Sequence, residues 1–335
     1  MSGGSVALAI GDPAGIGPEV VLKTLAGNAG GSQQAIVVGD VEPLTRHAAA
    51  CGIDIQLTGN KLHWPDGRRT RFIPCNAVAS EEWDFGRSTV GGGRACLAYT
   101  KRAVELAQAG EVSAVLAAPH TETSVNLVKP GFDGYPSLVA ELTGTPRERV
   151  FLMLLCREFR VLQVTLHLSL RSAIDQLSIS LVQTAIEVGH ATLTRFGISH
   201  PKIGVCGLNP HAGEDGLFGM EDREIIAPAV ANGRSRGMDV SGPFAADALF
   251  AARSHDLYVA MYHDQGHIPV KVAAPLRSSA ITVGTPIVFG TVAHGSAYDI
   301  AGQNRADPAA FANAFDLITS QFGGNSAANA PLSIS

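Results

Sequence analysis

The chain has 335 residues, 46% of them hydrophobic and 16% charged, with a formal net charge of -5. That length exceeds what one hydrophobic core usually organises and predicts two lobes of roughly 150 residues each. The apolar content excludes a disordered chain, and the weak acidity without any Lys/Arg run excludes nucleic acid and gives no basis for a membrane surface, so a small-molecule ligand is expected.

In chain order, the first apolar run, residues 6–10, reads as a buried strand that ends at GDPAGIGPE, where Pro18 suits the first turn of a helix. This signature lacks G-x-G-x-x-G, so by itself it marks a tight turn and no pyrophosphate site. The N-terminus also lacks the basic and long apolar regions of a secretory leader, which makes the cytoplasm the expected location. A second strand is expected at 35–38, a helix at 95–109 and a strand at 114–118 followed by APHTET. The strongest apolar run, 150–156, is too short to cross a bilayer. Further strands follow at 161–166, 203–208 and 257–262, succeeded by LHLS, NPHAGEDG and YHDQGH. Helices are expected at 180–195, opened by a serine cap, and at 308–321. Alternating strands and helices predict an α/β/α sandwich, and the polar segments stand where open α/β sheets bind ligands, directly after strands. A small, polar tail begins at Gly323.

Five cysteines without a C-x-x-C pair read as reduced thiols. His167, His211 and His263 each follow an apolar run, so one sheet edge could gather them around a divalent ion: Zn2+ first, with Fe2+, Co2+ or Mn2+ also compatible. The alternative is three hydrogen-bonded loop histidines. YHDQGH is not the H-E-x-x-H helix signature, and its following Gly-x-x-Pro predicts a loop in which Asp264 supports a ligand or accepts a proton. HGSAYDIAGQNRADP, from His294, offers glycines for close approach of a flat ligand, His294 to stack on it and Asp299 to accept ribose hydroxyls. A Gly-rich connection is the alternative.

The loop 294–308 is similar to the adenine-binding loop of the isocitrate and isopropylmalate dehydrogenase superfamily, in which an Asp at the Asp299 position goes with NAD. From GDPAGIGPE to that loop the chain resembles the PdxA group, the 4-hydroxythreonine-4-phosphate dehydrogenases. The resemblance implies α/β architecture in two α/β/α lobes with the active site in the cleft between them, residues 1–131 with 305–335 forming one lobe and 132–304 the other. It implies His167, His211 and His263 as metal ligands, His294, Gly295, Asp299 and Asp307 as cofactor-binding residues, and a homodimer whose second lobes carry a shared site. The phosphate enzymes' Gly-His-Thr-Glu is here Gly134-Tyr135-Pro136-Ser137, and their phosphate-holding Asn and Arg match Ala280 and Phe289, while their lysine is kept as Lys271. An aromatic ring cannot replace an Arg fork on a phosphate.

The runs 134–138, 150–154, 164–167 and 263–269 resemble the terephthalate dihydrodiol dehydrogenase branch of that group. That resemblance implies NAD-dependent oxidation of 1,2-dihydroxy-3,5-cyclohexadiene-1,4-dicarboxylate with loss of CO2 to give protocatechuate. It makes Lys271, Asp264 and Asp247 candidates for proton transfer, and His120, Tyr135, Lys271 and Phe289 candidates for substrate contact. The alternatives are a phosphate-requiring relative, a metal hydrolase using His263 and His267, and a non-catalytic nucleotide-binding protein.

Overall fold

In the computed structural model residues 4–27, 34–275, 278–292 and 294–322 are described. The tail from Gly323 lies outside them. The chain forms two compact units, the first made of the described residues of Met1–Thr143 and Pro286–Ala328, the second of those of Gly144–Thr285.

The first unit begins with β1 (Val6–Ala9), α1 (Gly17–Gly27), β2 (Ala35–Gly39) and α2 (Val41–Cys51). A meander of β3 (Gln56–Thr58), β4 (Lys61–His63) and β5 (Arg69–Pro74) follows, then α3 (Val90–Gln108), β6 (Ala114–Ala117), α4 (Glu122–Asn126) and α5 (Tyr135–Thr143). The second unit contains β7 (Phe151–Leu155), β8 (Arg160–Gln163), α6 (Leu170–Gln176), α7 (Ile179–Arg195), β9 (Ile203–Cys206) and α8 (Ala227–Ser235). It continues with β10 (Val240–Phe244), α9 (Ala246–Ala252), β11 (Leu257–Ala260), α10 (His263–Ala273) and β12 (Ser279–Val283). The chain then returns to the first unit with β13 (Phe289–Val292) and α11 (Ala309–Phe322).

In the first unit the strand order is β13-β6-β1-β2-β5-β4-β3, parallel from β13 to β5. Leu8 of β1 registers with Val37 and Leu116. These strands are buried on both faces, which is why they read as continuous apolar runs. In the second unit the order is β10-β9-β11-β8-β7-β12, with β10, β9, β11 and β8 parallel and β7 antiparallel to both its neighbours. Among the described residues no helix is long and apolar enough to cross a membrane.

Several boundaries differ from expectation. α3 starts at Val90 because Thr89 accepts the N–H of Gly92, which lets three glycines join the helix. α7 is capped by Ser178, whose hydroxyl accepts the Leu181 N–H, two residues before the serine inferred from sequence. The segment after β11 is a helix, α10, and no loop: Pro269 lies inside it, and Gly266 lets it settle on β8, where a Cβ would meet Gln163 Nε2 at 2.8 Å. The division between units also falls elsewhere than the expected 131/132 and 304/305. α5 stays with the first unit because Tyr135 packs into its core and donates to Ala118 O, and residues 294–304 stay there because Ser296 and Tyr298 bond to the 11–17 segment.

Candidate active site

The chemistry-bearing side chains of the second unit collect after β8, β9 and β11. His167 follows β8 on an exposed turn, and His263 opens α10 immediately after β11. Their ring centroids are 5.6 Å apart, a separation that two imidazoles bound to one ion through nitrogens at about 2.1 Å would also show. His263 Nδ1 lies 2.6 Å from Asp264 Oδ1, so the carboxylate holds the Nδ1 proton and leaves the Nε2 lone pair for a ligand. Asp264 is therefore placed to orient His263.

His211 has its Nδ1 3.2 Å from Glu214 Oε2, the same side-chain logic, on a turn in which residues 211–215 all adopt left-handed backbone. Four of those five are not glycine, a conformation that persists only when the surroundings enforce it. Just before that turn, buried Asp222 accepts the backbone N–H groups of Leu208 at 2.7 Å and Asn209 at 3.0 Å and so fixes the chain's entry into it. Among the described residues no three His, Cys, Asp or Glu side chains lie close enough to hold one ion, so His211 does not complete a set with the other two.

His267 and Lys271 continue the row of His263 along α10 at i+4 and i+8. The His267 ring stacks on His263 with centroids 3.7 Å apart and planes 12° from parallel. Burial, and then the neighbouring His263, push the His267 pKa down to about 4. Burial also lowers the Lys271 pKa. The row joins a nitrogen donor set to an amine shifted toward neutrality, which suits metal binding and proton transfer. Asp247 stands exposed in the first turn of α9.

In the first unit, Asp299 is exposed on the short turn Tyr298–Ile300, free to accept from a ligand, and His294 is half-buried beside exposed Gly295. Asp307 accepts the Ala309 N–H at 2.9 Å and so caps α11, a structural use of a residue expected on the cofactor. His120 follows β6 and packs its ring against Phe132 and Tyr135, at 5.2 and 4.2 Å between centroids. The expected substrate contacts of Tyr135 and Phe289 do not fit their placement. They are 2% and 0% exposed, pack on each other at 5.1 Å, and belong to the hydrophobic core of this unit.

Sequence reasoning missed Asp222, an acidic residue six positions past NPHAGEDG whose burial no local pattern announces, and passed over Asp12 and Glu19 within GDPAGIGPE. Both are fully buried, and both bond to the segment 294–307.

Residues 31–318 match the family described as "Pyridoxal phosphate biosynthetic protein PdxA". The chain is 41% identical, over 95% of its length and 98% of the relative's, to a 1,2-dihydroxy-3,5-cyclohexadiene-1,4-dicarboxylate dehydrogenase of a Comamonas species. It is 42% identical, over 90% of its length and 92% of the relative's, to a D-threonate 4-phosphate dehydrogenase of Cupriavidus necator. Among solved structures, a terephthalate 1,2-cis-dihydrodiol dehydrogenase from Burkholderia xenovorans matches with TM-score 0.67 and 39% identity, covering 95% of this chain and 98% of that one. A β-decarboxylating dehydrogenase from Thermococcus kodakarensis shares the fold, with TM-score 0.53 and 15% identity over 96% of this chain and 84% of that one.

Proposed function

The chain belongs to the PdxA family of dehydrogenases, and from that premise we propose that it oxidises 1,2-dihydroxy-3,5-cyclohexadiene-1,4-dicarboxylate with NAD+ and a divalent metal, releasing CO2 and protocatechuate. One observation carries the substrate class. The two positions that match the phosphate-holding Asn and Arg of the hydroxythreonine phosphate enzymes are Ala280 and Phe289, both apolar and both buried within their strands. A phosphate dianion would lose both the Asn amide and the Arg guanidinium and keep only Lys271, and leaving it so underpaired costs on the order of several kcal/mol.

His167 and His263 of one chain, with His211 supplied by a second copy, are the residues that would hold the ion, and imidazole nitrogens suit Zn2+. When bound, the ion would polarise the substrate hydroxyls as a Lewis acid while NAD+ takes the hydride. The chain's own residues do the rest. Asp264 fixes the tautomer of His263 through Nδ1. Lys271, with a lowered pKa, accepts the hydroxyl proton or pairs with a carboxylate of the substrate. Asp299 prefers NAD over NADP, since a 2′-phosphate beside its carboxylate would meet like charge. Oxidation leaves a β-keto acid, and loss of its carboxylate yields an aromatic ring.

A homodimer with a shared site belongs to the same reading. Its support in the chain is a strip of α10 formed by Ile268 and Val272, 59% and 75% exposed, one turn apart beside the histidine row. The cytoplasm is the proposed location.

The test is product analysis with NAD+ and Zn2+. Protocatechuate, CO2 and NADH should form in equal amounts from the diol, and a chelator should stop all three. The 42% identity to a D-threonate 4-phosphate dehydrogenase favours a second reading, which faster turnover of D-threonate 4-phosphate than of the diol would establish in place of the first.

A further inference from the structure

The proposed function leaves the signature GDPAGIGPE without a role, although it contains two of the buried carboxylates of the chain. In the folded first unit this segment is fastened to 294–307 at three points. Near the start of that loop, the Tyr298 hydroxyl donates to Asp12 Oδ2 at 2.5 Å, and Ile16 N–H donates to Ser296 O at 2.9 Å. Near its end, Glu19 Oε1 accepts the Ala306 N–H at 2.9 Å, while Lys23 Nζ bridges Glu19 at 2.7 Å and Ala306 O at 2.8 Å. The fit at the first point is close enough to require glycine, since a Cβ on Gly15 would meet Ser296 Cβ at 2.4 Å.

A polar chain stands behind Asp12. Tyr298 gives its one proton to Asp12, its oxygen lies 2.5 Å from the Ser124 hydroxyl, and that hydroxyl lies 2.9 Å from the Ser88 hydroxyl. Asp12 also accepts the Ala14 N–H at 2.9 Å, which locks the 11–15 turn to the same carboxylate. Burying a carboxylate is costly unless it is paired and hydrogen-bonded, and here two are buried to secure the ends of one loop whose middle, around Asp299, is exposed. A core would be better served by apolar side chains. The arrangement makes sense where a loop must hold one shape before its ligand arrives, because a preformed loop loses less entropy on binding.

We propose that Asp12 and Glu19 are positioning residues that clamp 294–307 at both ends in the shape that receives the adenosine half of NAD. The inference rests on reading that loop as the cofactor site. Neither carboxylate touches the reacting atoms. Each acts through the backbone or side chain that it holds.

Hydrogen exchange and NADH titration calorimetry test the clamp and the cofactor reading separately. In the wild type, saturating NADH should slow amide exchange across 294–307; no protection there overturns the cofactor reading and the inference with it. Without NADH, Tyr298→Phe and Glu19→Ala should each speed exchange in 294–307 about tenfold while amides of β1 and β6 keep their wild-type rates. The Kd for NADH and the KM for NAD+ should rise by a similar factor, with kcat within about twofold of the wild type. Asp12→Asn, which keeps an acceptor for Tyr298, should stay nearer to wild type than Asp12→Ala. Wild-type exchange and Kd in both Tyr298→Phe and Glu19→Ala overturn the clamp. So does faster exchange spread evenly over β1, β6 and the loop, which marks general destabilisation.

Discussion

At Phe289 the ring packs on Tyr135 within the core, and the Tyr135 hydroxyl reaches Ala118 O at 3.0 Å, so neither side chain has surface left for a ligand. Their effect on substrate choice is exclusion of charge from those positions. Phe289→Ala should therefore cost about 3–5 kcal/mol of stability by urea unfolding, while the surviving folded enzyme keeps its KM for the diol. Tyr135→Phe should cost about 1 kcal/mol with little change in kcat/KM. A large specificity change in either, at unchanged stability, would restore direct contact. His47 gives the residue-scale pH dependence. Its Nε2–H donates to Pro13 O, its Nδ1 is buried without a partner, and burial pushes its pKa down to about 4. The unfolded chain takes up this proton near pH 6.5, so the contribution is fully present above 6.5 and is lost as pH falls from 6.5 to 4. It amounts to about 3 kcal/mol, and His47→Gln should flatten a plot of urea midpoint against pH across that window.

At the scale of elements, α10 and the 207–216 turn decide whether the histidines can act together. Gly266 brings α10 down onto β8, and Gln265 ties the ends of two strands by accepting Met261 N–H and donating to Gly207 O, each at 2.7 Å. That contact sets His263, His267 and Lys271 on one helical row, an arrangement a loop would not give. The proximity of Asp264 to His263 makes a measurable claim on metal affinity. Asp264→Ala should weaken zinc binding about 10- to 100-fold in a chelator competition, with the fold and the melting temperature of the metal-free protein little changed. Equal zinc affinity in the variant would mean that Asp264 does not orient His263 toward an ion.

At the scale of the whole molecule, the histidine pair makes a prediction about subunits. His167 and His263 are neighbours in one chain, so a site shared between two copies would combine both of them with a ligand supplied by His211 of the other copy. Mixing His211→Ala with His263→Ala should then restore about a quarter of wild-type activity, since half of randomly exchanged dimers are mixed and each mixed dimer keeps one intact site. Mixing His167→Ala with His263→Ala should restore none. A fully active monomer at assay concentration would remove the shared site altogether.

The sequence by itself determined the α/β alternation, because strands buried on both faces must be apolar throughout and so announce themselves as runs such as 6–10 and 114–118. It also located the post-strand histidines and the loop around Asp299, since glycine, histidine and aspartate in sequence proximity are visible without coordinates. Only tertiary structure decided that Tyr135 and Phe289 belong to the core, that α10 is a helix despite Pro269, and that α5 and 294–304 stay with the first unit. It alone joined Asp12 to Tyr298 across 286 positions and Glu19 to Ala306 across 287. Local patterns encode which residues are apolar and which turn, but burial and long-range pairing depend on what the rest of the chain brings to the same place.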